Sequence, residues 1–136
     1  MTLVIDASLT LAALFEDEQN DAVLSIMDQV TKSSALVPMI WRYEIANGLQ
    51  MAIRRKRINT AYRNKCFEKL RSIPIAVDVE GMDEIWLATV ALADLYNLTI
   101  YDAAYLELAQ RMRVPLATLD DALKLACRAS GVPLAL

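Results

Sequence analysis

Asp6, Glu44, Asp102 and Asp120 are the residues of this chain whose type and setting are best suited to chemistry. Asp6 directly follows the apolar run Leu3-Val4-Ile5, and only Leu119 separates Asp120 from Leu116-Ala117-Thr118. Glu44 is set among Trp41, Tyr43, Ile45, Ala46 and Leu49, and Asp102 among Ile100, Tyr101, Ala103 and Ala104. Acids embedded in apolar runs are expected to be at least partly buried, and a buried carboxylate needs a proton or a cation. No basic residue lies within three positions of Asp6, Asp102 or Asp120. Carboxylates gathered without such partners repel one another unless a hard divalent ion sits among them. Oxygen-only ligation suits Mg²⁺ or Mn²⁺, which bind through a few carboxylates plus a phosphate. Each acid also has an ordinary role open to it. Asp6 and Asp120 can cap helices, and Glu44 can be a solvated helix residue.

The rest of the composition removes the competing chemistries. The 136 residues include no histidine, which excludes Ser-His-Asp and Cys-His catalysis and His-ligated zinc. The three glycines, Gly48, Gly81 and Gly131, are isolated, so no phosphate-cradling glycine loop is present. Cys66 and Cys127 form no C-x-x-C unit and are expected to be buried free thiols in a reducing cytosol. With 56% hydrophobic and 23% charged residues, the chain can bury a core and is expected to form one domain over residues 1–136. The N-terminus lacks a basic leader, and Ile85–Ala93, among the longest charge-free apolar runs, falls short of the roughly 18 residues that span a membrane. A cytoplasmic location is the expectation.

The elements that must position these acids alternate. Short strands are predicted at 3–5, 35–37, 75–77 and 116–118, with 132–135 as a candidate edge strand. Helices are predicted over 7–15, 18–31, 40–55, 59–71, 82–96, 101–112 and 122–129, the last stopped by Gly131. Short apolar strands between longer helices define an α/β sandwich with a mostly parallel central sheet of four to five strands. Ligands of such sheets bind beyond the carboxyl ends of the strands, where Asp6 and Asp120 fall. Asn47, three residues after Glu44, shares its helix face. Asp78 and the acids at 16–18, 21, 80 and 83–84 are expected at helix starts and on solvated faces.

Charge is unevenly spread. Residues 54–71 hold eight basic side chains against Glu68 alone, a net of +7, while the remaining positions sum to −10. Arg54, Arg55, Lys56 and Arg57 open this stretch, just beyond the helix that carries Glu44. They are candidates for tracking a nucleic-acid backbone. Tyr62 and Phe67 are available for stacking but are expected in the core.

Val4-Ile-Asp6-Ala-Ser8, Tyr43-Glu44-Ile-Ala-Asn47, Tyr101-Asp102-Ala-Ala-Tyr105 and Thr118-Leu-Asp120 occur in the order and spacing of the PIN-domain ribonucleases. The chain resembles in particular the VapC-type toxins of type II toxin–antitoxin pairs, over essentially its whole length. The resemblance implies a PIN-like α/β/α sandwich and a metal-dependent endoribonuclease that hydrolyses RNA phosphodiester bonds. It makes Asp6, Glu44, Asp102 and Asp120 the catalytic, metal-holding quartet for Mg²⁺ or Mn²⁺. Ser8, Asn47 and Thr118 become accessory positions, with Asp121 an alternative to Asp120 as the outer ligand. It further implies a small antitoxin partner and a homodimer. Leu11, Leu14, Phe15, Val23 and Ile26 are read mainly as core, with some of them available to line an antitoxin groove. Alternatives are a housekeeping PIN-domain RNase or a non-catalytic module on the same fold. A haloacid-dehalogenase-type phosphatase expects Asp-x-Asp where Ser8 stands. A response-regulator receiver expects an acidic pair and a late-strand lysine, both missing.

Overall fold

A computed structural model describes all 136 residues. Four short strands, β1 (Leu3–Ile5), β2 (Ala35–Pro38), β3 (Ile75–Asp78) and β4 (Leu116–Ala117), form one sheet in the order β3-β2-β1-β4, with every pairing parallel. β1 is central and wholly buried, which is why it is apolar at every position instead of alternating. The predicted edge strand at 132–135 shrinks to a single parallel bridge between Leu116 and Leu134, because Pro133 has no N–H to extend a ladder.

Seven helices connect and cover the strands: α1 (Ala7–Leu14), α2 (Asp21–Lys32), α3 (Ile40–Arg54), α4 (Thr60–Arg71), α5 (Val90–Tyr96), α6 (Ile100–Met112) and α7 (Asp121–Ser130). α1 is apolar nearly all round and correspondingly buried, packing against both α2 and α3. Gly48 of α3 permits this close approach, since a Cβ there would lie 2.6 Å from Leu11 Cδ1. α2 buries Val23, Ile26 and Val30 and turns its charged face outward. It begins at Asp21, not Glu18: the Asn20 side chain caps it by accepting from the Val23 amide, while Glu16–Glu18 form a separate tight turn. Leu14, Phe15, Val23 and Ile26 are all buried in the core and Leu11 packs against it, and of the five Phe15 also borders an open hollow with Asp17, Arg57 and Tyr62. α6 packs on β1, β2 and β4 and against α7. α7 ends at Gly131, whose φ of 78° suits a residue without a Cβ.

The continuous helix predicted over 82–96 is broken. A tight turn at Glu80–Glu84 leads into a wide helical turn at Ile85–Thr89 before α5 begins. Asp78 provides a reason: its Oδ2 accepts from the Gly81 amide at 2.9 Å and binds the Arg111 guanidinium at 2.6 Å, which fixes the segment's entry. Asp78 is therefore not on a solvated face. It closes an ion-pair network with Arg111 and the buried Glu107, which meets Arg111 Nε at 2.7 Å. The wide turn leaves Trp86 89% exposed. Cys66 and Cys127 are both buried and free. No helix is long and apolar enough to cross a membrane.

Candidate active site

The chain runs β1 to β2 to β3 in one direction, then returns to place β4 on the other side of β1. A crevice opens at the carboxyl ends of two adjacent strands wherever the strand order reverses in this way. Here it lies between β1 and β4, followed by Asp6 on one side and Thr118 to Asp120 on the other.

Side chains stitch the crevice together. Asp6 is 3% exposed and caps α1, its Oδ1 accepting from the Leu9 amide at 3.0 Å and from Ser8 Oγ at 2.7 Å. Its Oδ2 accepts from the buried Thr118 hydroxyl. Ser8 Oγ accepts from the Leu119 amide at 3.0 Å, and Thr118 Oγ1 accepts from the Asp120 amide at 3.0 Å. Asp120 in turn caps α7 by accepting from the Leu123 amide at 2.8 Å. The capping role expected of Asp6 and Asp120 is thus real, and it aims both carboxylates at the strand ends. Capping and chemistry do not compete, since a capping carboxylate keeps lone pairs to spare.

Glu44 comes from the second turn of α3 and Asp102 from the first turn of α6; both are half-buried. Tyr105, buried one helical turn after Asp102, donates its hydroxyl to Glu44 Oε1 at 2.7 Å and so ties α6 to α3. The sequence pattern assigns Tyr105 no role of its own; its i+3 spacing from Asp102 on an apolar helix is the signal that points to one.

The electrostatics record how close the acids stand. Burial raises the Asp102 carboxyl from 3.8 to about 6, with further upward contributions from the charges of Asp120, Asp6 and Glu44. Burial likewise raises Asp6, against the hydrogen bonds from Thr118, Leu9 and Ser8 that favour its ionised form; Asp120 adds to the rise. Glu44 is raised by burial and by Asp6, and lowered by the Tyr105 hydrogen bond. Burial and the Glu44 charge push the Tyr105 hydroxyl far up, so it serves as a neutral donor. Asp120, not Asp121, is the acid that acts on Asp6 and Asp102. Asp121 is exposed at the start of α7. Asn47 is exposed on α3.

As the side chains lie, no three acidic or sulfur groups are gathered tightly enough to hold an ion unaided. The donor set nevertheless fits a hard divalent cation. All four acids offer oxygen only and share one crevice, with no basic group among the influences on Asp6, Glu44 or Asp102. Mg²⁺ keeps several of its waters and needs only one or two direct carboxylates.

The basic stretch lies farther off. Arg54 is ten residues beyond Glu44 on α3, about 15 Å along the helix axis. Arg54, Arg55 and Lys56 are exposed. Arg57 is drawn into a tie with the end of α1: it pairs with Glu18 at 2.9 Å and Asp17 at 3.1 Å, and its guanidinium lies 4.5 Å from the Phe15 ring centroid. Tyr62 and Phe67 are half-buried against the core, the Tyr62 hydroxyl donating to the Leu14 carbonyl.

An acid-lined crevice at the switch point of a four-stranded parallel sheet defines the class, and residues 3–129 match the PIN domain. The chain belongs to the PIN-domain family. Ribonuclease VapC3 of Pyrobaculum aerophilum is 31% identical to it over 120 residues, 88% of this chain and 90% of that protein. Ribonuclease VapC9 of Mycobacterium tuberculosis is also 31% identical over 120 residues, 87% of this chain and 85% of the relative. A solved toxin–antitoxin complex from Klebsiella pneumoniae contains a chain similar in fold, with a TM-score of 0.60 at 18% identity, covering 87% of this chain and 86% of that one.

Proposed function

We propose that this protein is an endoribonuclease of the VapC toxin type, hydrolysing RNA phosphodiester bonds with a divalent cation, Mg²⁺ or Mn²⁺, held at the crevice between β1 and β4. The observation that carries this is the mutual influence of four half-buried or buried acids, expressed most strongly at Asp102, which sits at about 6 under burial and the charges of the other three. A site that repels itself in this way is built to be completed by positive charge.

Asp6, Asp102 and Asp120 would hold the cation, with Glu44 beside them. When bound, the ion lowers the pKa of a water and neutralises charge developing on the phosphate. The chain's own groups supply orientation. Ser8 and Thr118 fix the Asp6 carboxylate by donating to both its oxygens, and Tyr105 orients Glu44 by donating to Oε1. Supporting hydrogen bonds of this kind set the direction of a ligand's free lone pairs. Arg54, Arg55 and Lys56 serve as the RNA-backbone contacts.

The partner set follows the same reading: RNA as substrate, a small antitoxin, and a second copy of the chain. Trp86, Leu87 and Leu95 are exposed on the segment from the wide turn into α5 and offer an apolar face for pairing. Two free buried thiols suit the reducing cytoplasm. The test is Asp6→Asn. Mg²⁺-dependent cleavage of RNA by the wild-type chain should fall by at least about a hundredfold in the variant, with an unchanged circular dichroism spectrum. Expression of the wild type, but not of the variant, should arrest growth. Full cleavage by Asp6→Asn removes the metal-site assignment, and cleavage without growth arrest points to a housekeeping RNase.

A further inference from the structure

α1 carries one fully buried polar side chain, Thr10, between Leu9 and Leu11. Valine would fit that place with no loss of apolar surface, so the hydroxyl is there for its bonds. Thr10 Oγ1 donates to the Asp6 backbone carbonyl at 2.8 Å and accepts from the Trp41 indole N–H at 3.1 Å. Trp41 is itself buried. The first bond is the ordinary back-bond of a helical threonine. The second crosses from α1 to α3.

That crossing falls at the level of the acids. Trp41 stands on α3 one turn before Glu44, and Thr10 stands on α1 one turn after Asp6, the residue that caps it. The neighbouring elements are joined in the same manner: Thr118 ties the end of β4 to Asp6, and Tyr105 ties α6 to Glu44. With Trp41 and Thr10 included, β4, α1, α3 and α6 are linked in turn by side-chain hydrogen bonds. The close approach of Gly48 to Leu11 also holds α1 and α3 together. Apolar contact is non-directional, however, and leaves one helix free to rotate or slide on the other. A hydrogen bond is directional and removes that freedom.

We infer that Trp41 and Thr10 are positioning residues whose bond fixes Glu44 relative to Asp6 and so sets the fit of the crevice to a small divalent ion. The inference rests on the metal site proposed under the preceding heading, and both residues act only through the acids they brace. Mg²⁺ demands near-ideal octahedral oxygens at about 2.0–2.1 Å, whereas Ca²⁺ accepts looser sets at about 2.3–2.6 Å. A shift of α3 against α1 therefore penalises Mg²⁺ more than Ca²⁺.

Thr10→Val alone would strand the indole N–H in the core. Thr10→Val with Trp41→Phe removes both partners and leaves no polar group buried and unpaired. The rise in Tm on adding MgCl2 or CaCl2 without RNA reads the site independently of activity. The double variant should keep the wild-type circular dichroism spectrum and need at least about tenfold more MgCl2 for the same rise, with its CaCl2 response changed much less. Its kcat for RNA cleavage should fall while KM holds. Thr10→Ser keeps the hydroxyl and should match the wild type throughout. If the double variant does not fold, Trp41→Phe alone, which leaves Thr10 bonded to Asp6, is read in the same way. Equal MgCl2 responses in wild type and variant overturn the inference. So does an equal loss for both ions, which is general loosening, and so does a Thr10→Ser protein that behaves like the double variant. A wild-type chain that MgCl2 does not stabilise at all removes the metal site, and this inference with it.

Discussion

Replacing Asp102 by Asn should abolish activity and stabilise the metal-free protein at neutral pH. The carboxyl sits at about 6 in the folded chain against 3.8 when free. Taken in full, that difference is about 3 kcal/mol between its charged and neutral forms. The group is half-buried, so solvent screening reduces the figure to about 1–2 kcal/mol. A raised folded-state value means the native protein holds the proton more tightly than the unfolded chain does. The associated stability is fully present below about pH 4 and is lost as pH rises through about 6. At pH 7 the wild type therefore carries an ionised Asp102 that is desolvated by burial and repelled by the other acids, and Asn removes that penalty. Urea denaturation in EDTA should place Asp102→Asn above wild type by about 1–2 kcal/mol at pH 7, with the gap closing towards pH 4. A domain of this size should show a rise in Tm of about 4–8 °C. Added Mg²⁺ should then raise the wild-type Tm and leave the variant nearly unmoved. If the variant is no more stable than wild type at pH 7, or if the gap does not shrink on acidification, neither burial nor the neighbouring acids penalise the charged Asp102 and the reasoning fails.

Tyr105→Phe removes the donor to Glu44 and should cost about 10–100-fold in cleavage while RNA affinity holds, measured as kcat against KM; a change in KM alone would mean Tyr105 acts on binding. Arg54→Glu with Arg55→Glu should weaken RNA binding and reduce the slope of log affinity against log salt by about two, read by fluorescence anisotropy. An unchanged slope takes the RNA path away from this stretch. Arg111→Ala leaves Glu107 buried without its cation and should cost about 3 kcal/mol in urea denaturation, with Glu107→Gln in the same background restoring much of the loss.

The four acids were legible because each stands in an apolar neighbourhood at a strand end or early in a helix, and those settings survive folding. Their order and spacing matched a known family, and the strand–helix alternation gave a parallel sheet. Other features were hidden. The apolar run through Ile85–Thr89 has no residue that forbids a regular helix, and the break depends on Asp78 meeting Gly81 and an arginine 33 positions away. The Arg57 tie to Asp17 and Glu18 bridges about 40 residues of chain. Leu11 and Leu14 looked more apolar than one face requires because α1 is enclosed on nearly every side, while Val23 and Ile26 form the buried face of α2.

By itself, then, the sequence determined the chemical type of the site: oxygen donors without histidine or clustered thiolate, placed where strands end. The tertiary structure alone decided which acid of the Asp120-Asp121 pair faces the others, that Tyr105 holds Glu44, and which of the basic residues remain exposed for a ligand. Residue type and local periodicity are carried by a few neighbouring positions. Hydrogen bonds between residues 61 to 112 positions apart, and the charge coupling among the four acids, come into being only when the strand order reverses and brings their elements to one crevice.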